Sequence, residues 1–480
     1  MGFDWLDWSI VIAYLCGITL FGVWFRKKQD SMRTYFLGGK NIPAWALALS
    51  IVGTETSTLT VIGTPGIAFA GDMSFLQLIL GYIVGRVVIS LVLIPAYHKG
   101  EMYTAYELMQ RRFGAWIKHA TASLFLVTRA LAEGVRVFAI AIVVGIVLGF
   151  ADAWGDVWSI LIIAALTLVY TFEGGLTAVI WTDVIQLCIY IGCTLVTFFV
   201  ILGLIPGGWD GVTAVAAPKF AVWNFALDFH VPYTFWGGII GGAFLTTASH
   251  GVDQLIVQRL LAARNARDGK VALLSSGVIV FFQFALFLLI GVMLYSYYHY
   301  NPQLAPPAAG DRIFPTFIVQ HLPHGVRGIM VAAILAAAMS NLSSALNSMA
   351  STTVVDFVRT FCRRGLSAKS ELRLSRWMTV AWGLALVVLA ILSRNVGSVL
   401  EAGLTITSIT YGSMLGAFLL GVLTKGANGA GTFCGMAVGL AAMLALAWSG
   451  AVAYTWYVLI GTCITFGVGY AASQLVGGRR

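Results

Sequence analysis

Between Ala332 and Asp356 the chain reads AAILAAAMSNLSSALNSMASTTVVD, long and apolar enough for a bilayer but filled with Ser and Asn at its middle. Ser340, Asn341 and Ser344 stand at i, i+1 and i+4, and Ala337, Asn341 and Ser344 at i, i+4 and i+7. On a helix this spacing lines one face with neutral oxygens. Such oxygens suit a hard monovalent cation. The competing reading is close packing of small residues between membrane helices, with the hydroxyls bonded to their own backbone. Two other polar stretches inside apolar runs favour the ion. One is Gly53-Thr54-Glu55-Thr56-Ser57-Thr58; the other surrounds Asp183. Asp183 lies about 12 Å into its run, where a carboxylate needs a partner.

Charge inside a third run points to the solute. Arg129, Glu133 and Arg136 stand at i, i+4 and i+7 on one helical face. Two cations against one anion leave a positive charge for Glu55 or for an anionic ligand. Arg136 is too deep to reach the interface easily, and a guanidinium bonds a carboxylate bidentately. The alternative is that Arg136 simply pairs with Glu133 or Glu55. Enzymatic chemistry is not expected, because the intramembrane Ser residues have no His at helical spacing and His250 lies in another run.

These residues sit in a chain that must be polytopic. Of 480 residues, 59% are hydrophobic and only 10% charged, against roughly 25% charged in soluble domains. Thirteen apolar runs serve as candidate spans, near 9–25, 43–69, 74–97, 119–150, 156–171, 175–205, 234–258, 270–298, 327–358, 375–393, 398–423, 430–449 and 453–475. The loops alternate in basic residues, 22 on one side against 4 on the other. This asymmetry places the N-terminus outside and the C-terminus in the cytoplasm. The net charge of +9 resides in short loops and implies no nucleic-acid partner. The cysteines show no paired spacing, so no disulfide framework or zinc site is implied. Residues 206–233 and 299–326 are outer segments longer than a turn and are expected to form ordered caps or short helices.

Two runs are interrupted. The second carries the polar centre at Glu55 followed by Pro65; the seventh carries Gly pairs and Thr246-Thr247-Ala248-Ser249-His250-Gly251. Each opens a set of five spans, and the two sets start on opposite sides. That is the pattern of an inverted-repeat transporter, in which unwound backbone near the midplane meets the ligand. The fold class expected is therefore an all-α polytopic membrane protein with a five-plus-five inverted repeat. Residues 1–42 form a peripheral first helix and loop, 43–205 repeat one, 206–233 an outer loop, 234–423 repeat two, and 424–480 two peripheral helices.

The chain resembles the sodium:solute symporter family over roughly residues 30 to 425. The resemblance rests on YFLGGKNIPAWALALS with the following ETS and TPG, YTFEGGLTAVIWTDVIQ, DQLIVQRLLAARN, MSNLSSALNSMAS with its later Asp, and YGSMLGAFLLGVLTKGANG. It implies the leucine-transporter fold and alternating access. It also implies a sodium site formed by the carbonyls of Gly53, Thr56 and Ala337 and the side chain of Ser340. The family usually has a second hydroxyl next; Asn341 stands there instead, offering an amide oxygen. Some members carry a further sodium site, matched here by Asp183, Ser343 and Ser344. Substrate contacts are expected at Glu55, Ser57 and Thr60, at Thr246, Ser249 and His250, and at Gln77 and Arg136. Where glucose-type members place Glu and Gln after the break this chain has Leu59 and Thr60, which counts against a neutral hexose.

The expected function is sodium-coupled symport, with one or two ions, of a small carboxylate-bearing solute such as a sialic-acid-like sugar acid or a monocarboxylate. A neutral sugar or amino acid as solute, proton coupling through Glu55 or Asp183, and a channel or sensor are the alternatives. The protein is expected to be a monomeric unit of a bacterial inner membrane.

Overall fold

Inside lipid no water can satisfy peptide groups, so apolar runs must bond them internally, and the helix does so locally. The computed structural model describes residues 3–24, 41–99, 102, 104–150, 154–170, 176–358, 368–395 and 397–477. Among these the chain is helical, with one isolated β-bridge between Ile42 and Ala263. In order the helices are α1 (Trp5–Trp24), α2 (Ala44–Glu55), α3 (Thr58–Ala70), α4 (Leu76–Tyr97), α5 (Tyr106–Phe113) and α6 (Ala115–Leu148). Next come α7 (Gly155–Tyr170), α8 (Leu176–Leu204), α9 (Trp209–Ala216), α10 (Gly242–Gly251), α11 (Gln254–Leu261) and α12 (Ala266–Tyr300). The last are α13 (Gly310–His321), α14 (Val326–Thr352), α15 (Ala368–Leu392), α16 (Val399–Leu423), α17 (Gly429–Ser449) and α18 (Tyr457–Gly477).

Among the described residues all thirteen expected runs are helical over most of their length. Among the described residues nine helices are long and apolar enough to cross a membrane, and the α2–α3 pair makes ten if counted as one span. The others are α1, α7 and the α10–α11 pair. Peripheral helices turn apolar side chains outward: Leu384, Val388 and Leu392 of α15 recur every fourth residue and are all exposed. This is the stripe a lipid-facing helix presents. The basic loop 25–40, residues 171–175 of the family-like YTFEGG stretch, segment 359–367 and the terminal Arg479 and Arg480 lie outside the described residues. Cys16, Cys188, Cys193, Cys434 and Cys463 are free.

The first interruption falls where its polar residues predict. α2 ends at Glu55, Thr56 and Ser57 are extended, and α3 leaves at 64° to α2. The second falls later than expected. Thr246, Ser249 and His250 still lie on α10; the chain breaks at Val252–Asp253, and the Asp253 carboxylate caps α11 by accepting from the Leu255 N–H at 2.9 Å. α12 packs along both halves of the first broken helix, α8 packs on α2, and α4 packs on α10 and the π-helical turn Gly237–Gly241 that precedes it. Glycine makes that last contact possible: a Cβ on Gly81 would lie 2.2 Å from the Gly238 carbonyl oxygen.

The long outer segments form short helices, α9 and α13. Lys219 closes the C-terminal end of α3, its ammonium donating to the carbonyls of Phe69 (2.8 Å) and Gly71 (2.7 Å). Two arginines counted as loop charges are instead buried. Arg327 begins α14 and donates to Asp7 of α1 at 2.6 Å, and Arg259 lies inside on α11.

Candidate functional site

At the first break the helical hydrogen-bond ladder comes apart in a particular way. The Ser57 N–H, which would have bonded the Gly53 carbonyl, donates to Glu55 O (3.1 Å); the Thr60 N–H donates to Ser57 O (2.9 Å) and leaves Thr56 O. Among the described residues no backbone N–H therefore answers the carbonyls of Gly53 and Thr56, the two expected as ion ligands. An unanswered buried carbonyl is a strong acceptor, suited to a cation. Gln283 of α12 fixes the loop by donating to Thr56 Oγ1 at 2.6 Å. Asn341 and Ala337 of α14 are buried. α14 lies against α8 and touches α3. The Ser340 side chain lies outside the described residues.

Asp183 sits directly on Gly53. A Cβ at Gly53 would lie 3.2 Å from the Asp183 Cβ, so only glycine fits without displacement. Its partners differ from the expected set. The carboxylate accepts from Ser50 Oγ (2.7 Å) and Thr54 Oγ1 (3.4 Å) and pairs with Arg259 Nη2 at 3.0 Å. Arg259 also donates to Ser50 Oγ (2.9 Å) and to Leu255 O (2.8 Å). Both ionic groups are buried. A guanidinium thus holds the carboxylate expected to bind a second ion with Ser343 and Ser344. Sequence reading missed Arg259 because a basic residue at the end of a span reads as a loop charge.

Glu55 points from the break towards α4 and α10. Its Oε2 pairs with Arg86 Nη2 and lies 3.3 Å from His250 Nε2. His250 Nδ1 lies 2.8 Å from Ser249 Oγ. The structure therefore unites three expected contacts, Glu55, His250 and Ser249, around Arg86. The available signal for Arg86 was its place alone in mid-span, where a cation demands a partner. Ser57 and Thr60 are buried beside the break, and Thr60 Oγ1 donates to Glu55 O at 3.5 Å. Thr246 is buried on α10, and among the described residues its hydroxyl has no partner. Gln77 serves elsewhere: its amide donates to Ser74 O and Tyr233 O and accepts from Asn224 N, tying the outer loop to α4.

The Arg129–Glu133–Arg136 face forms as expected, Glu133 Oε1 accepting from Arg129 Nη1 (3.1 Å) and Arg136 Nη1 (2.7 Å). The residual positive charge expected there is not found. Asp253 at the second break pairs with Arg129 Nη2 and accepts from Tyr411 Oη at 2.7 Å. Two carboxylates now balance two guanidiniums. Arg136 belongs to this cluster, and Glu55 to the Arg86 cluster.

The sodium:solute symporter family model matches residues 35–439. The sodium/sialic acid symporter SiaT of Proteus mirabilis is 28% identical over 96% of this chain and 93% of its own. Human sodium-coupled monocarboxylate transporter 1 is 28% identical over 92% of this chain and 72% of its own. A solved substrate-bound, outward-open sodium-coupled sialic acid symporter superposes with TM-score 0.86 at 26% identity, covering 99% of this chain and 98% of that one. A nucleobase-cation-symport-1 transporter shares the fold, with TM-score 0.53 at 13% identity over 92% and 94% of the two chains.

Proposed function

This chain belongs to the sodium:solute symporter family, and on that premise we propose that its cargo is a small carboxylate-bearing solute, of sialic-acid or monocarboxylate type, moved by alternating access. The fold is of the leucine-transporter type, and sodium is the coupling ion. The observation that carries the reading is the first break, where among the described residues no backbone N–H answers the Gly53 and Thr56 carbonyls beside the buried Glu55 cluster.

The ion is held in this proposal by the carbonyls of Gly53, Thr56 and Ala337 with the side chains of Ser340 and Asn341. The solute lies between the break and α10, against Glu55, Ser57, Thr60, Thr246, Ser249 and His250. Arg136 and Gln77 support the site from their own networks. Asp183, Ser343 and Ser344 take a second ion only in a state where Arg259 has withdrawn. The proposed unit is a monomer in a bacterial inner membrane, with its N-terminus outside and its C-terminus cytoplasmic.

One sodium ion falling through ~100 mV releases ~2.3 kcal/mol, enough alone for a solute gradient of ~50-fold. A thermal-shift screen tests the cargo, since a bound solute stabilises the fold by mass action. Sialic acids or monocarboxylates should raise the melting temperature in sodium and much less in potassium. Stabilisation by neutral hexoses with no response to acids would reject the carboxylate. Ser340→Ala should abolish the sodium requirement together with uptake.

A further inference from the structure

One charged cluster lies where the two broken helices meet. Arg86 of α4 is wholly buried; its Nε donates to Ser276 Oγ at 3.3 Å, and its Nη2 serves Glu55 Oε2 with His250 Nε2 3.3 Å away. Among the described residues its Nη1 has no partner. Nor has Glu55 Oε1, nor Thr246 Oγ1 on α10. Buried donors and acceptors are rarely left unmatched without a purpose. Nη1 shares a carbon with Nη2, and Oε1 shares one with Oε2. A donor and an acceptor without partners among the described residues therefore flank one ion pair. Gly277 admits the arginine stem, for a Cβ there would lie 2.9 Å from Arg86 Cδ.

We propose that Arg86 and Glu55 together read a carboxylate flanked by an O–H or N–H donor. The carboxylate accepts from Arg86 Nη1, and the neighbouring hydroxyl or amine donates to Glu55 Oε1. The solutes so defined are 2-hydroxy and 2-amino acids, including sugar acids with a hydroxyl on the carbon that bears the carboxylate. This assignment rests on the carboxylate cargo proposed above and moves its recognition from Arg136, which pairs with Glu133 on its own helix, to Arg86, which meets Glu55 at the first break. Charge explains the coupling. Glu55 and Arg86 cancel, so a 2-hydroxy acid adds one uncompensated negative charge, whereas a zwitterionic 2-amino acid adds none. Sodium at the carbonyls of Gly53 and Thr56, which flank Glu55 in the chain, neutralises that charge.

Thermal-shift titrations of the detergent-purified full chain in sodium test this. The probes are lactate, methyl lactate and propionate, with N-acetylneuraminate and its methyl ester. Wild type should prefer an acid over its ester, and lactate over propionate, by about tenfold or more, because the lesser ligands leave Nη1 or Oε1 unpaired. The double variant Arg86→Gln/Glu55→Gln replaces the ion pair by two neutral amides. It should keep a sodium-dependent shift yet bind acid and ester within about twofold, since discrimination needs the guanidinium. Arg136→Gln should keep the acid preference. If the double variant retains the preference, or Arg136→Gln loses it, Arg86 is only the partner of Glu55 and the assignment is overturned. Should the double variant not fold, Arg86→Lys decides: it keeps the ion pair but has no second nitrogen, and an undiminished preference overturns the assignment. If no acid binds wild type, the carboxylate cargo itself falls, and this inference with it.

Discussion

Asp183 is held by a cation the chain itself supplies. Its pair with Arg259 spans α8 and α11, with Ser50 of α2 bonded to both. Removing one partner of a buried pair leaves an uncompensated charge and costs about 3–5 kcal/mol, far more than removing both. Asp183→Asn and Arg259→Gln should each lower the melting temperature, and the double variant should regain most of the loss. Arg259→Gln should also be stabilised by sodium over potassium more strongly than wild type, because a bare buried carboxylate recruits the small cation. An equal response to both salts would make Asp183 purely structural. Residue types were legible at this scale, and partners were not. Asp183 and Glu55 announced themselves as charges inside apolar runs. Arg259 and Asp253 sit at element ends, where charge is ordinary, and only folding showed them turned inward. Asp253 did carry a local sign, as an Asp preceding a helical run is an N-cap signal.

The broken helices and the glycines that seat them belong to the scale of elements. The first break was legible because six polar or small residues interrupt an otherwise continuous apolar pattern. The second was placed too early, because its polar residues precede the break by up to six positions and remain helical. The first lies against α12 and α8, and what positions the second is backbone contact between α4 and the Gly237–Gly251 stretch. A Cβ at Gly85 would stand 2.5 Å from the Ala243 carbonyl oxygen, and one at Gly81 still closer to Gly238. Such contacts cannot be read from periodicity, because they join residues far apart in sequence. Gly81→Ala should force the two elements apart. A stability loss of about 1–3 kcal/mol is expected from overpacking, with a larger fractional loss of solute binding, since Arg86 of α4 meets His250 of α10 across this seam. A melting temperature within a degree or so of wild type would show the seam to be soft, given that ~1 kcal/mol shifts a mid-sized domain by ~2–4 °C.

At the scale of the whole molecule, the short helix α13 is latched to α16 through Asp311, which accepts from the Val399 N–H at 2.8 Å. Burial pushes this carboxyl up to about 6 from an ordinary 3.8; the Val399 bond opposes the shift, Glu401 adds to it, and Arg312 opposes it. A raised carboxyl pKa means the folded state holds a proton that the unfolded state releases between about pH 4 and 6. Stability from this group therefore falls as pH rises through that window, by about 3 kcal/mol in all. Asp311→Asn keeps an acceptor for Val399 and removes the charge. Its stabilisation should be larger at pH 7.5 than at pH 5, and equal gains at both would show that Asp311 is not the titrating group. Membrane class, the helical runs and the two-repeat plan were legible in composition and loop charge. The latching of short helices was not, because it depends on single hydrogen bonds between distant segments.

The claim that sodium drives solute movement through the first break is tested most directly by isotope-labelled N-acetylneuraminate and lactate uptake into proteoliposomes. An inward sodium gradient is imposed at equal pH on both sides, then a pH gradient without sodium. The account predicts accumulation of at least one acid above its external concentration with sodium, none with the pH gradient alone, and loss of the sodium response in Ser340→Ala. Accumulation that follows the pH gradient and ignores sodium would contradict it.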